Sequence, residues 1–370
     1  MSAQKISCLL LALGVSLFPI YLLPSGLPQA SHLVLLVFSI WALILNGLSK
    51  RQILSLIPLW VLVWFVVSRQ SFYSISENPS VLAPAAYVVF NALIFYSVYR
   101  QLVLYSDDTL KALKGGVIVS VAISLIGVFV LGFSLVVGAD DTYRNVGTFN
   151  NPNQLGYYAV CIAGLGSVLF VLGRCSRVTF LFILTAAFFL AVLSLSKAAM
   201  VSIVIYLGIL TRLRRSLSNL LIFALLAVFV IALLQHADFE QFKFIQRLAD
   251  IGHDSDDSLE GRGYQILFNP DIRLIYGWGE GFALNTIGFE VHSTFGNLII
   301  SYGIVGFGLF LVLIGGLFFR LLKAWGLVIA SSLMFPFVLY GIAHNGFRFS
   351  IFWIYLAVLF FAGRNNHQGS

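Results

Sequence analysis

His292-Ser293 stands where a polar stretch gives way to an apolar run, and nine residues later the run carries Gly303-Ile304-Val305-Gly306. Imidazole is the side chain best suited to take a proton near neutral pH, so His292 is a candidate general base. A lone histidine is more often structural, and glycines three apart also suit helix packing. His344-Asn345-Gly346-Phe347-Arg348, at a later boundary of the same kind, offers a second imidazole and a guanidinium.

A second polar island runs Arg144-Asn145-Val146-Gly147-Thr148-Phe149-Asn150-Asn151-Pro152-Asn153-Gln154-Leu155-Gly156. A turn followed by a helix cap accounts for Asn151–Asn153. Arg144 and the surplus amides, Asn150 among them, are left over, and a guanidinium beside amides suits phosphate and sugar hydroxyls. In Ser194-Leu195-Ser196-Lys197-Ala198-Ala199 an ammonium and hydroxyls interrupt an almost continuous apolar run. Snorkelling at a turn is the plainer account; the functional one sets Lys197 beside an anionic headgroup.

A third stretch holds Gly261-Arg262-Gly263-Tyr264, then Asn269-Pro270-Asp271-Ile272-Arg273, then Gly277-Trp278-Gly279-Glu280-Gly281. The glycines imply tight turns. Arg262 and Arg273 either balance the local acids or bind an anion. Asp254-Ser255-Asp256 has the look of a metal pair but sits in an acidic run, so a solvated loop is the better reading and no metal is expected. Cys8, Cys161 and Cys175 fall in or beside separate apolar runs, which favours packing over disulfides or a metal cluster.

The elements that position these residues follow from composition. The chain is 59% hydrophobic and 10% charged, where soluble domains carry about 25% charge. Uncharged stretches of about 20 residues recur along it, so lipid is the solvent and helices are the spanning elements. The expected fold is all-α, a single membrane domain over 1–370 with spans near 6–23, 30–48, 53–68, 81–99, 113–138, 154–173, 178–195, 198–211, 218–236, 292–319, 324–342 and 349–363. The run at 6–23 follows Lys5 but lacks a small-x-small cleavage pattern, so it reads as a span and not a secretory signal.

Threading these spans with the N-terminus inside gathers fourteen Lys/Arg and two acids on one side, and eight Lys/Arg with thirteen acids on the other. That is the positive-inside asymmetry, with both termini cytoplasmic. The net charge of +7 then reflects topology and calls for no nucleic-acid partner. Cytoplasmic loops are too short for a nucleotide-binding domain. The long insertion at 237–291, between the ninth and tenth spans, falls on the outer side with the candidate residues.

In order and topology these segments resemble the bacterial O-antigen ligase and polymerase superfamily, which handles polyprenyl-diphosphate-linked glycans at the periplasmic face of the inner membrane. The resemblance covers most of the chain. It rests on Arg144 with Gly147-Thr148-Phe149 and Asn151-Pro152-Asn153, on the break at Ser196-Lys197, on Arg262 with Gly277-Trp278-Gly279, and on the histidine-to-glycine spacing from His292. It implies a GT-C-like glycosyltransferase with His292, Arg144 and Arg262 as catalytic residues and without cofactor, metal or nucleotide sugar. Asn150, Asn153, Lys197, Arg273, Arg348 and His344 are the accompanying candidates for substrate contact.

The implied donor is an undecaprenyl-diphosphate-linked oligosaccharide, and a chain-length regulator is an implied accessory partner. Many members have Ser-Arg where this chain has Ser196-Lys197, which removes a planar fork from that position. The resemblance leans to a polymerase, whose acceptor is another lipid-linked repeat, through Asn150–Gly156 and Ser196-Lys197-Ala198. His292-Ser293 with its glycines is equally a feature of ligases, whose acceptor is lipid A–core, so both acceptors stay open. A flippase for the same lipid is the rival class; transporters usually show repeated halves and ionisable residues at mid-membrane, and neither is clear here.

Overall fold

The computed structural model describes residues 2–23, 27–76, 82–131, 147–212, 264–268, 271–288 and 291–364, and it is helical with no strand among them. The helices are α1 (Ala3–Ser16), α2 (Ala30–Asn46), the short α3 (Lys50–Ser55), α4 (Ile57–Ser76), α5 (Leu82–Leu104), α6 (Ser106–Ile126), α7 (Pro152–Val171), α8 (Arg177–Leu193) and α9 (Lys197–Ile205). After them come two short loop helices, α10 (Arg273–Tyr276) and α11 (Phe282–Ile287), then α12 (Thr294–Ala343) and α13 (Ser350–Ala362). Four segments, Ala85–Leu104, Ser106–Phe129, Pro152–Val171 and Thr294–Ala343, are long and apolar enough to cross a membrane, and six shorter apolar helices accompany them. This is the build of a multi-pass membrane protein.

Each expected span outside 218–236 overlaps one of these helices, with 292–319 and 324–342 sharing α12; 218–236 and the 132–138 end of span 113–138 lie outside the described residues. Several boundaries differ, those of α1 and α6 for local reasons. Helix α1 stops at Ser16 rather than near residue 23, because Pro19 biases its neighbour away from helical angles. The segment beyond it is instead drawn to the 147–150 turn, where Tyr21 N–H donates to the Thr148 carbonyl (3.2 Å) and Thr148 Oγ1 to the Pro19 carbonyl (2.5 Å). Helix α6 begins earlier than expected and ends in a π-turn over Gly127–Leu131. Gly127 there lies so close to Thr148 that a methyl group would strike its side chain.

Helix α12 is three helices in one run. Gly303 (φ 68°) and Gly326 (φ 78°) leave helical geometry, cutting it into 294–302, 304–325 and 327–343. Phe318 stacks on Phe335 at 6.1 Å, so the two long arms run antiparallel about Gly326, and Phe295 of the short first arm abuts Gly341 of the third. The first arm is a nine-residue plug held against the others.

Two ends of the bundle emerge from the contacts. At one, Gln4 meets Asp108, Arg174 pairs with Asp107, Arg100 donates to the Asn46 carbonyl, and Trp325 donates to the Ala362 carbonyl. Arg320 lies over the Phe360 ring there at 4.6 Å. The other end collects the described parts of the polar islands. Between them Trp353, Tyr158, Phe95 and Phe180 are fully buried in one continuous core, and Cys8, Cys161 and Cys175 are buried packing residues.

Candidate functional site

Three helices begin at the polar end, and each is capped by its own sequence. Asn151 accepts from Asn153 N–H (2.7 Å) ahead of α7, with Pro152 at the first helical position. Ser196 accepts from Ala199 N–H ahead of α9, and Ser293 from Gly296 N–H (3.1 Å) ahead of α12. A capped helix start still presents the positive end of its dipole and unpaired N–H groups, which favours anions.

These starts converge on the last turn of α12. The Tyr340 hydroxyl donates to the Asn153 carbonyl (2.7 Å). A Cβ added to Gly156 would lie 2.9 Å from Ser196 Cβ and 3.2 Å from the Tyr340 hydroxyl, so α7 and α9 touch there because residue 156 has no side chain. Tyr340 and His344 rings pack at 4.7 Å. The carbonyls closing α12 are taken by hydroxyls: Gly341 by Ser293 (3.1 Å), Ile342 by Tyr264 (3.2 Å) and His344 by Thr294 (2.9 Å). The negative helix end is thereby masked while the positive starts remain presented.

Asn153, Lys197, His344 and His292 are thus linked through directly bonded or adjacent residues. His292 is exposed, one residue before the Ser293 cap; Lys197, Asn153 and His344 are half-buried. Lys197 occupies the first position of α9, where its charge adds to the dipole's positive end. The turn before it holds Leu195 at φ 52°, a conformation β-carbon crowding disfavours by about 1–2 kcal/mol. Ser194 Oγ accepts from Ser196 N–H (3.2 Å) and so helps hold that turn.

The loop reaches this end through the break in α12. Opening the helix at Gly303 frees the Ile300 and Ser301 carbonyls, and these accept from Trp278 N–H (2.8 Å) and Gly279 N–H (3.0 Å). Gly277, Gly279 and Gly281 all take positive φ (85°, 89° and 88°), the tight turns their spacing implied. Arg69 of α4 grips the same segment, donating to the Tyr276 (3.2 Å) and Gly277 (2.6 Å) carbonyls.

Glu280 lies at the centre of that clasp, 3% exposed. Its carboxylate accepts from Asn297 (3.0 Å), Tyr302 (3.3 Å) and Arg348 Nη2 (3.0 Å), and its N–H donates to the Gln70 side chain (3.1 Å). Arg348 is further fixed by Asn91, which donates to its carbonyl (3.2 Å). The guanidinium expected to face a substrate is therefore oriented by a buried acid from the loop.

Other expected residues stand elsewhere. Asn150 is buried, its amide donating to the Leu23 carbonyl (3.0 Å), so it ties the 147–150 turn to the segment after α1. Arg273 is exposed and paired with Asp271 at 2.7 Å. Arg144 and Arg262 lie outside the described residues, as do 237–263 of the long insertion. Arg69, Gln70, Glu280 and Tyr340 were not singled out as site residues from the sequence. The available signals were weak: Arg69-Gln70 interrupts the apolar run of α4, and Glu280 sits between two glycines. Neither a protein-family model nor a curated protein matches the chain.

Proposed function

We propose that the chain is a GT-C-like glycosyltransferase of the bacterial inner membrane, with about twelve spans and cytoplasmic termini. Its reaction joins undecaprenyl-diphosphate-linked glycan to a lipid-linked repeat unit, the polymerase type of the superfamily its motifs resemble. The observation that carries the reading is the meeting of three capped helix starts with Lys197, His344 and His292 at one end of an apolar bundle. Such a place suits a diphosphate whose tail stays in lipid and whose sugars stand in water.

The chemistry follows from those groups. An acceptor hydroxyl attacks the anomeric carbon of the donor while His292 takes the hydroxyl proton, and the bond from that carbon to the diphosphate oxygen breaks. The departing diphosphate carries its charge to Lys197, the helix starts and the arginines Arg144, Arg262 and Arg348. A single displacement inverts the anomeric carbon, and Glu280, tied to Arg348, is a positioning acid in this scheme and not a nucleophile.

Purified protein in liposomes is expected to lengthen a lipid-linked repeat unit without ATP or added metal, and His292→Ala to stop this while membrane levels stay normal. Movement of the lipid across the bilayer without lengthening would refute the transferase reading in favour of transport. A deletion strain separates the acceptors: one repeat left on the lipid core marks a polymerase, a bare core marks a ligase.

A further inference from the structure

The loop turn over 276–280 is fixed by backbone bonds before its acid is considered. Trp278 N–H donates to the Ile300 carbonyl, Gly279 N–H to the Ser301 carbonyl, and Arg69 to the Tyr276 and Gly277 carbonyls. None of these bonds needs a carboxylate, and a buried carboxylate is costly unless donors surround it. Docking of the loop therefore gives no reason for an acid at position 280, where Glu280 is 3% exposed.

The two oxygens of that acid are divided between two elements. Oε1 accepts from Asn297 Nδ2 (3.0 Å) and the Tyr302 hydroxyl (3.3 Å), both on the plug helix. Oε2 accepts from Arg348 Nη2 (3.0 Å), two residues before α13. Asn297 and Tyr302 are buried, so water does not compete for their bonds. Each side is also held from behind. Ser301 Oγ donates to Asn297 Oδ1 (3.2 Å), which turns the amide nitrogen of Asn297 toward Glu280. On the other side Asn91 donates to the Arg348 carbonyl (3.2 Å) and Trp353 Nε1 to the Phe347 carbonyl (2.8 Å).

Asn297 carries the start of its helix with it. It lies one turn beyond Ser293, about 6 Å along the axis, and its N–H donates to the Ser293 carbonyl (2.9 Å). His292 is the residue before Ser293. A single carboxylate thus ties the helix that begins beside His292 to the guanidinium of Arg348.

We infer that Asn297 and Tyr302 are positioning residues, which through Glu280 fix the helix carrying His292 relative to Arg348. The inference rests on the transferase reading, in which a proton leaves the acceptor at His292 while charge develops on the departing diphosphate near Arg348. Both events belong to one displacement, so the base and the cation must keep a set spacing, and small misplacements cost rate steeply. Neither residue touches substrate in this scheme; both act through the carboxylate.

The test is a double-variant cycle on purified full-length protein in liposomes, with transfer to a lipid-linked repeat unit measured per monodisperse protein. Asn297→Leu keeps the shape of the side chain and removes the donor. It is expected to lower kcat about tenfold, the worth of one hydrogen bond to a charged group, with KM changed by less than about twofold. On an Arg348→Gln background, where Glu280 no longer joins the helix to a cation, the same change should cost no further kcat. A merely structural role predicts the same loss on either background. That result, or an Asn297→Leu variant as fast as the wild type, would overturn the inference. If Asn297→Leu does not fold, Tyr302→Phe, which removes only a hydroxyl from the same carboxylate oxygen, is carried through the cycle and judged by the same two outcomes. A wild-type protein that transfers nothing would remove the transferase reading by itself. The bridge is then decided by the melting temperatures of the four proteins: additive shifts overturn it, and non-additive shifts uphold the coupling of the helix to Arg348.

Discussion

Lys197 sits where helix energetics would not put it. A cation in the first turn of α9 opposes the dipole, at a cost of about 0.3–1 kcal/mol. If it merely snorkels, its replacement by an uncharged chain of similar length is neutral or stabilising and harmless to activity. If it receives the diphosphate, Lys197→Met should raise the unfolding temperature in detergent slightly while reducing glycan ladders severely, and Lys197→Arg should retain most ladders. Unchanged ladders in Lys197→Met would leave the residue as an anchor only. Glu280 presents the opposite case, a buried acid whose partners are all donors. Glu280→Gln keeps an acceptor for Asn297 and Tyr302 but gives up the charge facing Arg348. Glu280→Ala strands three donors and should cost about 3 kcal/mol. The expected ranking is folded but slow for Gln, and poorly folded for Ala, read by kinetics and by thermal melting side by side. A Gln variant with normal kcat and KM would remove Glu280 from the positioning of Arg348.

Helices were the most legible level, because uniform apolar runs and an Asn-Pro cap announce themselves locally, as at Asn151-Pro152, whereas the Ser196 cap was read only as a turn. The break at Gly303 was not legible. The sequence shows a Gly-x-x-Gly pair that suits ordinary packing, and the reason for the break is a loop segment that arrives from elsewhere to fill the freed carbonyls. Gly277 and Gly303 face each other's backbone: a Cβ on Gly277 would overlap the Ser301 carbonyl, and one on Gly303 the Ile275 carbonyl. Gly326 shares the positive φ but has open space around it. Three alanine variants therefore separate strain from docking. Gly326→Ala should cost about 1–2 kcal/mol and leave activity intact. Gly277→Ala and Gly303→Ala should detach the loop, seen as rapid proteolysis within 264–288 and loss of ladders. Equal protease resistance in all three would mean that the clasp does not hold the loop.

At the scale of the whole molecule the site is assembled across very long stretches of chain. Arg69 meets Gly277 over 208 residues, and Ser350 meets Asn91 over 259. A single sequence gives each of these residues a type and a depth but no partner, which is why Lys197, His292 and His344 could be named while the Arg69–Glu280–Arg348 clasp could not. What does carry over such distances is charge. Among the described residues, Arg100 and Arg174 lie at one end of the bundle, on Asn46 and Asp107, and Asn153, Ser196, Ser293 and His344 lie at the other. Which end faces outward is then a question for labelling. The three native cysteines are buried and give little background to an impermeant maleimide. Lys323→Cys and Leu284→Cys place exposed thiols at opposite ends of the bundle. Labelling of Leu284→Cys alone in cells with permeabilised outer membranes, and of both after lysis, is the expected pattern. The reverse would put His292 and Lys197 in the cytoplasm, where glutathione and nucleotides abound but no periplasmic glycan acceptor exists, and the proposed reaction would have to be abandoned with the topology.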